Sequence, residues 1–196
     1  MQIVVASRNK HKVHEIQMLL GDLPVQLISI DALAPDAELI EDEPTFAANA
    51  LVKAQQAAAA TGLPAIADDS GLEVDALQGA PGVRSARYAG SPCNDAANNL
   101  KLLQALKDVS EPRTARYQCC AAYVDPARQV SLVRSGACEG QILTSPRGNG
   151  GFGYDPLFFL PKLGKTMAEI DLEQKNQFSH RAAAFLALAQ ALRPHL

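Results

Sequence analysis

Short apolar segments that stop at polar residues alternate along this chain with longer segments of helical periodicity. Four apolar segments predict buried strands at residues 2–6, 25–30, 65–67 and 157–160. Four other segments predict helices at residues 10–20, 45–61, 95–107 and about 175–193. Three stretches rich in Pro, Gly or acidic residues predict loops at 31–44, 72–94 and 144–156. Such alternation is typical of a domain that packs helices against a sheet.

One connection predicts that the sheet is mixed. Residues 115–124 and 129–139 read as two strands joined by Asp125, Pro126 and Ala127, which is the pattern of a hairpin. A hairpin pairs its strands antiparallel, whereas strands separated by helices are usually parallel. We therefore expect an α/β fold with a mixed sheet.

Composition limits the class of partner. The chain has 196 residues, which suits one large domain or two small lobes, and a formal net charge of −3, which argues against broad nucleic-acid binding. Its hydrophobic fraction is 47% with no Trp, so the core must be aliphatic and rich in Ala. The N-terminus lacks the pattern of a signal peptide, and no apolar run is long enough to cross a membrane. We expect a cytoplasmic protein with no membrane partner.

The four cysteines lack the spacing of a zinc site. They lie at positions 93, 119, 120 and 138, and no two of them form a C-x-x-C pair. We expect reduced thiols in a reducing compartment.

The segment between the first strand and the first helix carries an excess of positive charge. It reads Ser7, Arg8, Asn9, Lys10, His11 and Lys12. Ser and Asn are good N-caps, so the segment is consistent with a capped helix start. Three cations at a helix N-terminus are unfavourable unless an anion binds there, and free backbone N–H groups would add donors for a phosphate. The residues leave both readings open.

The second helix places two polar side chains on one face. Asn49 and Lys53 are four residues apart, and Ala and Leu occupy the other faces. This face is either simply solvated or part of a site. Glu41 and Glu43 precede the helix closely and could support a cation there.

The carboxylates after the apolar segment 65–67 form the most informative local pattern. Asp68 and Asp69 are followed by Ser70 and Gly71, which is also the composition of a polar turn. Two adjacent carboxylates at the end of a buried strand repel each other, and a divalent cation would offset that cost. Mg²⁺ prefers one or two carboxylates together with waters and phosphate oxygens. Alternatively, one Asp could position an attacking water as a general base.

Two further segments carry groups suited to nucleotide binding. Arg84 and Arg87 follow a Gly- and Pro-rich stretch, where they could grip a phosphate or make structural ion pairs. Near the C-terminus, an aromatic residue on a glycine-rich loop could stack on a base, and charged side chains could read its edge. These residues are Phe152, Gly153, Tyr154, Asp155, Lys175, His180 and Arg181.

Taken together, these segments closely resemble the noncanonical purine nucleoside triphosphate pyrophosphatase family, also called the inosine triphosphatase or HAM1-like family. Six blocks in the family's order carry the resemblance, which spans nearly the whole chain. They are ASRNKHK at 6–12, TFAANALVKA at 45–54, ADDSGLEVDAL at 67–77, GAPGVRSARYAG at 79–90, GGFGYDPLFF at 150–159 and SHRAA at 179–183.

The resemblance implies an elongated fold of two lobes around a mixed central sheet with flanking helices, an active-site cleft between the lobes, and a homodimer. It implies hydrolysis of ITP, dITP and XTP to the monophosphate and pyrophosphate with Mg²⁺, which removes deaminated purines from the nucleotide pool. Ser7 through Lys12 and Lys53 would hold the triphosphate. The remaining roles would be as follows: Asp69 as catalytic carboxylate and metal ligand, Asp68 and Glu41 supporting the metal, Asn49 and Ser70 touching substrate, and Phe152 through Asp155, Lys175, His180 and Arg181 forming the base pocket.

The chain departs from the family pattern in its first loop. The family usually reads T-G-N-x-G-K, and here Arg8 and His11 replace both glycines. Glu41 and Glu43 both lie near the family's acidic position before the second helix, and spacing favours Glu41.

Two other functions remain as alternatives. A related pyrophosphatase of the similarly folded Maf family would act on pyrimidine or modified nucleotides, and the FGYD and SHR blocks argue against it. A nucleotide sensor without catalysis is the second alternative, and the retention of Asp68, Asp69 and Lys53 argues against it.

Overall fold

The computed structural model describes residues Met1–Leu196, which form a seven-stranded sheet flanked by helices. The strands are β1 Gln2–Val5, β2 Gln26–Ser29, β3 Ala65–Val74, β4 Thr114–Asp125, β5 Val130–Ile142, β6 Phe158–Leu160 and β7 Lys165–Thr166. The helices are α1 Lys10–Leu19, α2 Ile30–Leu33, α3 Phe46–Thr61, α4 Asp95–Ala105, α5 Leu172–Lys175 and α6 His180–Leu192. Short 3₁₀ turns cover Asp75–Leu77, Gly82–Arg87, Met167–Glu169 and Arg193–His195.

The sheet is mixed, as the sequence predicts. Its strand order is β2-β1-β3-β4-β5-β6-β7. Strand β1 pairs in parallel with β2 and β3, whereas β6 pairs antiparallel with β5 and β7. The predicted hairpin strands are β4 and β5, which are neighbours in the sheet. The α/β class and the mixed sheet are therefore confirmed.

The chain divides into two compact units. The first unit contains Met1–Asp69, Cys119–Gly136 and His180–Leu196, and the second contains Ser70–Gln118 and Ala137–Ser179. In the first unit, Ile3, Val5 and Ile66 pack with Phe185 and Leu188 of α6. A second apolar cluster of the same unit joins the alanines of α3 to Val4 and Ala122. No helix of the chain has both the length and the apolar character needed to cross a membrane.

The second unit has its own core. Leu102 of α4 and Leu106, which directly follows the helix, pack with Tyr117, Tyr154 and Phe158 in one buried cluster. Because most of the chain's large aromatic residues lie here, the second core is bulkier than the alanine-rich clusters of the first unit. The elongated shape and the cleft between lobes stay predictions.

Strand β3 is longer than predicted, and this corrects the interpretation of the two aspartates. The prediction ended the strand at residue 67 and put Asp68 and Asp69 after it. The strand runs to Val74, because Leu72 and Val74 are both completely buried and continue the apolar side of the strand. The two carboxylates therefore lie inside a strand, where hydrogen bonds of the backbone fix them, and the polar-turn reading is wrong.

The predicted C-terminal helix at 175–193 is two separate helices. Asp171 caps the single turn α5 by accepting a hydrogen bond from the backbone N–H of Gln174 at 2.8 Å. This turn ends at Lys175, and α6 begins only at His180. Lys175 and His180 therefore belong to different helices. The predicted loops at 31–44 and 72–94 also contain short structure, namely the last three residues of α2 and two of the 3₁₀ turns.

Candidate active site

Asp68 and Asp69 have different partners because successive side chains of a strand point to opposite faces. Both are buried, with 1% and 5% of their surface exposed. Asp68 lies within 3.1 Å of the Lys12 ammonium and 3.3 Å of the Arg181 guanidinium. Asp69 accepts a hydrogen bond of 2.9 Å from the side-chain amide of Asn49. Adjacent residues thus supply one carboxylate paired with cations and one held by a neutral amide.

Asp68 is kept ionised by its neighbours. Burial alone opposes ionisation of the carboxyl group, but Lys12, Arg181 and Lys53 outweigh it and hold the pKa of Asp68 well below its usual range. Arg181 is itself completely buried and also pairs with Glu15 of α1. Asp68 is therefore part of a buried ion-pair network that joins α1, β3 and α6.

Asp69 has the opposite electrostatic environment. Burial raises the pKa of its carboxyl group, the nearby carboxylate of Glu41 raises it further, and Lys53 only partly opposes the two. A carboxylate with a raised pKa accepts a proton more readily than an ordinary Asp does. Of the two aspartates, Asp69 is therefore the one suited to act as a general base.

Lys53 connects the carboxylates. Its ammonium group, on the buried face of α3, donates to the carboxylate of Glu41 and to the backbone carbonyl of Asp68. Burial lowers the pKa of the Lys53 ammonium, but the charges of Asp68, Glu41 and Asp69 outweigh burial and raise it. Lys53 thus remains charged. We call the group of Glu41, Asn49, Lys53, Asp68 and Asp69 the carboxylate cluster.

Glu41 and Glu43 make different kinds of contact in the structure. Glu41 brings its carboxylate to Lys53, whereas Glu43 contributes backbone groups. The amide side chain of Asn49 accepts from the N–H of Glu43 at 2.9 Å and donates to its carbonyl at 3.2 Å. The fixed loop before α3 therefore orients Asn49, and Asn49 in turn orients Asp69.

The donor set of the carboxylate cluster fits Mg²⁺. Glu41 and Asp69 are close enough to repel each other, and a divalent cation would relieve this repulsion. No group of three or more His, Cys, Asp or Glu side chains is arranged to hold a metal ion. Mg²⁺ does not need one, because it is commonly held by one or two carboxylates with waters and phosphate oxygens.

A side chain caps the start of α1, so fewer backbone N–H groups there are available to a phosphate. Asn9 is the N-cap, and its side-chain oxygen accepts from the N–H groups of His11 and Lys12 at 3.0 and 3.2 Å. Ser7 accepts from the N–H of Asn9 at 3.2 Å. The expectation of free amides is therefore wrong for residues 11 and 12, because the cap already satisfies them.

The cations of this segment also differ in their partners. Arg8 binds Asp31 at 3.1 Å and donates to the carbonyls of Pro35 and Ala37, so it braces the chain that follows α2. Lys12 points to Asp68, whereas Lys10 and His11 are exposed. The segment thus presents fewer uncompensated charges than the sequence suggests.

The second unit holds most of the residues that the resemblance assigns to the base. Lys175 pairs with Asp155 at 2.9 Å, and both are buried. Asp155 also accepts from the Tyr117 hydroxyl at 3.0 Å and from the Phe152 N–H at 3.2 Å. The Lys175 ammonium lies 4.9 Å from the centre of the Phe152 ring. We call residues 151–155 with Lys175 the aromatic loop; it has a fixed cation beside a half-buried aromatic ring.

The other residues named for the base pocket have distinct positions. Tyr154 is 4% exposed and donates its hydroxyl to the carbonyl of Ser85 at 2.8 Å, so it packs in the core of the second unit. Ser70 follows Asp69 in β3 and is half-buried. His180 and Arg181 begin α6 in the first unit, where both are buried. Their role in base recognition stays a prediction.

Sequence reasoning missed Glu15 and Tyr117. Glu15 is a charged residue of α1 that is only 4% exposed. Its carboxylate pairs with Nη1 of the Arg181 guanidinium, whereas Asp68 pairs with Nη2. The sole sequence signal of Glu15 is its place three residues after Lys12, which puts both on one helix face. Tyr117 shows no signal, because its contact with Asp155 joins residues 38 apart in sequence.

Known proteins match this chain over nearly its whole length. A profile of the Ham1 family matches residues 3–191. A dITP/XTP pyrophosphatase of Geobacter sulfurreducens is 53% identical over 192 residues, covering 97% of this chain and 96% of that protein. A second, from Desulforamulus reducens, is 51% identical over 185 residues, covering 94% of this chain and 92% of its own length.

Solved structures agree with the sequence matches. A HAM1 protein from Coxiella burnetii superposes with a TM-score of 0.89 at 42% identity, covering 99% of both chains. The Ham1 protein of Staphylococcus aureus gives the same TM-score at 41% identity and covers all of both chains. Identity at this level over the whole length, with the same fold, shows common ancestry, and the chain belongs to the Ham1 family.

Proposed function

We propose that this protein hydrolyses the noncanonical purine nucleoside triphosphates dITP, ITP and XTP to the nucleoside monophosphate and pyrophosphate, using Mg²⁺. The names of its relatives, dITP/XTP pyrophosphatase, support the substrate class. The observation that carries the reaction type is the carboxylate cluster, in which Asp69, a buried carboxyl group of raised pKa, lies beside a charged lysine.

Asp69 acts as the general base in this proposal. A water molecule adds at a phosphorus of the α–β bridge, Asp69 accepts its proton, and the bridging P–O bond breaks to release pyrophosphate. Asn49 keeps the Asp69 carboxylate in one orientation through its 2.9 Å hydrogen bond. Positioning of this kind is a large part of catalysis when both reactants are held in place.

The remaining charges of the first unit stabilise the triphosphate. Lys53 and the cations at the start of α1 stabilise the negative charge that develops on the leaving pyrophosphate. Glu41 and Asp69 would hold Mg²⁺, which supplies Lewis-acid stabilisation of phosphate oxygens when bound. Asp68 is ion-paired with Lys12 and Arg181, so in this mechanism it orients those cations and does not act as a base.

Base recognition is assigned to the aromatic loop. The Phe152 ring offers a stacking surface, and Lys175 offers a fixed donor that suits the 6-keto oxygen shared by hypoxanthine and xanthine. Adenine carries an amino group at that position, so a buried donor would be left unpaired. On this proposal the pocket selects against ATP.

The assembly and location follow from the resemblance alone. We propose a cytoplasmic homodimer that binds no nucleic acid. The net charge of −3 supports the last point. Sedimentation equilibrium of the purified protein tests the dimer, and a single species of about 21 kDa, the mass of one chain, would contradict it.

Product analysis tests the reaction directly. Purified protein with Mg²⁺ is given ITP, dITP, XTP, ATP or GTP, and both phosphate products are quantified. Pyrophosphate from the first three with little from ATP or GTP is expected. Orthophosphate as the product, or equal turnover of all five, contradicts the proposal. Preferential turnover of pyrimidine nucleotides would support the Maf-like alternative, and nucleotide binding without turnover would support the sensor.

Mg²⁺ dependence has a separate test. Titration calorimetry with Mg²⁺ and a non-hydrolysable ITP analogue compares the wild type with Glu41→Gln. The variant is expected to bind the metal more weakly than the wild type, and equal affinity in the two would contradict the role of Glu41. Glu43→Gln is the matched control, since the Glu43 contacts to Asn49 use its backbone groups only.

A further inference from the structure

Two side chains of helix α4 form hydrogen bonds with the backbone of the aromatic loop at a single residue, Gly153. The carboxylate of Asp95 accepts from the Gly153 N–H at 2.7 Å, and the side-chain amide of Asn99 donates to the Gly153 carbonyl at 2.8 Å. Asp95 and Asn99 are four residues apart, so they lie on the same face of the helix. Both polar groups of this glycine are thus bound by one helix.

These two hydrogen bonds matter because of the position of Gly153 in the loop. It follows Phe152, whose ring stands under Lys175, and precedes Tyr154, which is anchored in the core. Its φ is +63°, a left-handed conformation that favours glycine. A glycine in a loop has many accessible conformations, and these two hydrogen bonds select one of them. The position of the Phe152 ring therefore depends on α4.

Helix α4 is itself a rigid support. Leu102 of the helix and Leu106, its C-cap residue, are completely buried in the core of the second unit. On a neighbouring face, Asn98 accepts from the N–H of Ala89 at 2.7 Å and donates to the carbonyl of Ala86 at 2.9 Å. A helix fixed on two sides can hold a loop at a set distance, which a solvent-exposed helix could not do.

We propose that Asp95 and Asn99 are positioning residues that set the base selectivity of the enzyme. They touch the loop backbone and act through Phe152 and Lys175. This inference rests on the proposed function, because it names residues that determine which base that reaction accepts. Neither residue belongs to the carboxylate cluster, so the hydrolytic chemistry itself does not depend on them.

Loss of the hydrogen bonds to Gly153 should have a specific consequence for substrate binding. When Gly153 is released, its peptide groups bond to water and the Phe152 ring samples several positions. A base is then held less firmly, and small differences in its edge groups are read less sharply. We expect the KM for XTP and dITP to rise about tenfold, with a smaller change in kcat, and the preference for XTP over GTP to fall by a similar factor.

Three variants test this inference against a purely structural role. Asp95→Ala removes the acceptor for the Gly153 N–H, whereas Asp95→Asn keeps an acceptor oxygen at the same place and should recover most of the selectivity. Both lose the charge at the start of α4, so their difference isolates the hydrogen bond. Asn99→Leu removes the donor to the carbonyl. It also removes the side-chain oxygen of Asn99, which is buried without a hydrogen-bond partner, so folding should be preserved.

Gln104→Ala is the control, because it removes an exposed amide from the same helix. Steady-state kinetics with XTP, dITP and GTP are measured for every variant, and hydrogen exchange of the peptide containing Gly153 reports the loop directly. Faster exchange at Gly153 together with lower selectivity in Asp95→Ala and Asn99→Leu, and neither in Gln104→Ala, is the expected result.

Unchanged selectivity and KM in Asn99→Leu and Asp95→Ala, with an active wild type, would overturn the positioning role. If Asp95→Ala fails to fold, Asn99→Leu and Asp95→Asn decide the matter. A wild-type protein that releases no pyrophosphate from any purine triphosphate would instead refute the proposed function, and this inference with it.

Discussion

The carboxylate cluster of the first unit and the aromatic loop of the second unit are built on different principles. The first unit surrounds Asp68 and Asp69 with buried charges, and its strongest contacts join side chains of opposite sign. The aromatic loop of the second unit has one buried ion pair, Lys175 with Asp155, and several of its other contacts join side chains to the backbone of the loop. The first arrangement suits a highly charged substrate group, and the second suits a flat group recognised by shape.

This difference predicts that changes in the first unit affect rate and global stability, whereas changes in the second affect substrate choice. Substitutions can be paired across the two regions to test it.

The largest effect is expected at Asp69. Asp69→Asn keeps an oxygen for the Asn49 amide but cannot accept a proton at neutral pH, so kcat should fall by roughly 10²–10⁴ while ITP still binds. Stopped-flow kinetics and calorimetric ITP binding measure the two quantities. Asp108→Asn is the control, since Asp108 is an exposed carboxylate whose side chain is 88% accessible. A variant with near wild-type kcat would remove Asp69 from the mechanism.

Arg181 should dominate stability. Arg181→Met removes a buried guanidinium that pairs with both Asp68 and Glu15, and the free energy of unfolding should fall by about 3–5 kcal/mol. Urea unfolding followed by circular dichroism measures this change. Arg134→Met provides the comparison, because Arg134 is exposed and donates only to a neighbouring carbonyl. Equal losses in the two variants would mean that the buried network does not stabilise the first unit.

Gly151→Ala should disturb the aromatic loop through a direct clash. A Cβ atom there would lie 2.2 Å from a carboxylate oxygen of Asp155, and φ is +71°. We expect a loss of about 1–3 kcal/mol and weaker base selectivity. Gly164→Ala is matched for backbone strain, with φ of +66°, but has open space around the new atom. Similar kinetics in both variants would show that Asp155 is not needed in its present position.

Acid should remove the contribution of Asp68 to stability. Its pKa is lower in the folded protein than in the unfolded chain, so the unfolded state takes up the proton first as pH falls. The stabilisation is complete above the ordinary Asp range, near pH 4, and is lost below it at up to about 1.4 kcal/mol per pH unit. Urea unfolding at pH 6, 4 and 3 should show Asp68→Asn approaching the wild type as pH falls. A constant difference between them would contradict this.

The smallest effects are expected from substitutions of two tyrosines that each donate a hydrogen bond to an aspartate. Tyr117→Phe removes a hydroxyl donor to Asp155 in the second unit, and Tyr123→Phe removes one to Asp125 in the first. Each should cost about 1 kcal/mol on thermal unfolding. Only Tyr117→Phe should raise the KM for XTP, because only Asp155 holds Lys175 and Phe152. An equal KM shift in both variants would contradict the division between the regions.

Much of the fold could be predicted because local signals were strong. Residues 45–61 predict a helix, and α3 begins at Phe46 with Thr45 as its cap and ends at Thr61 before Gly62. The hairpin strands were also predicted nearly to their ends. Strand β3 was not, since Asp68 and Asp69 look like a turn when read alone. Burial of Leu72 and Val74 against other parts of the chain overrides that local preference.

The sequence alone determined which residue types are available for chemistry, together with the family, because six motif blocks in order identify it without reference to structure. It also determined the helices α1, α3 and α4, whose signals lie within a few residues of one another. Only the tertiary structure decided what each charge does. Arg8 and Arg181 look alike in the sequence, yet one braces an exposed loop and the other is buried against Asp68 and Glu15. The energy of a charge depends on its burial and its partners, and contacts between residues 113 or 166 apart leave no trace in local pattern.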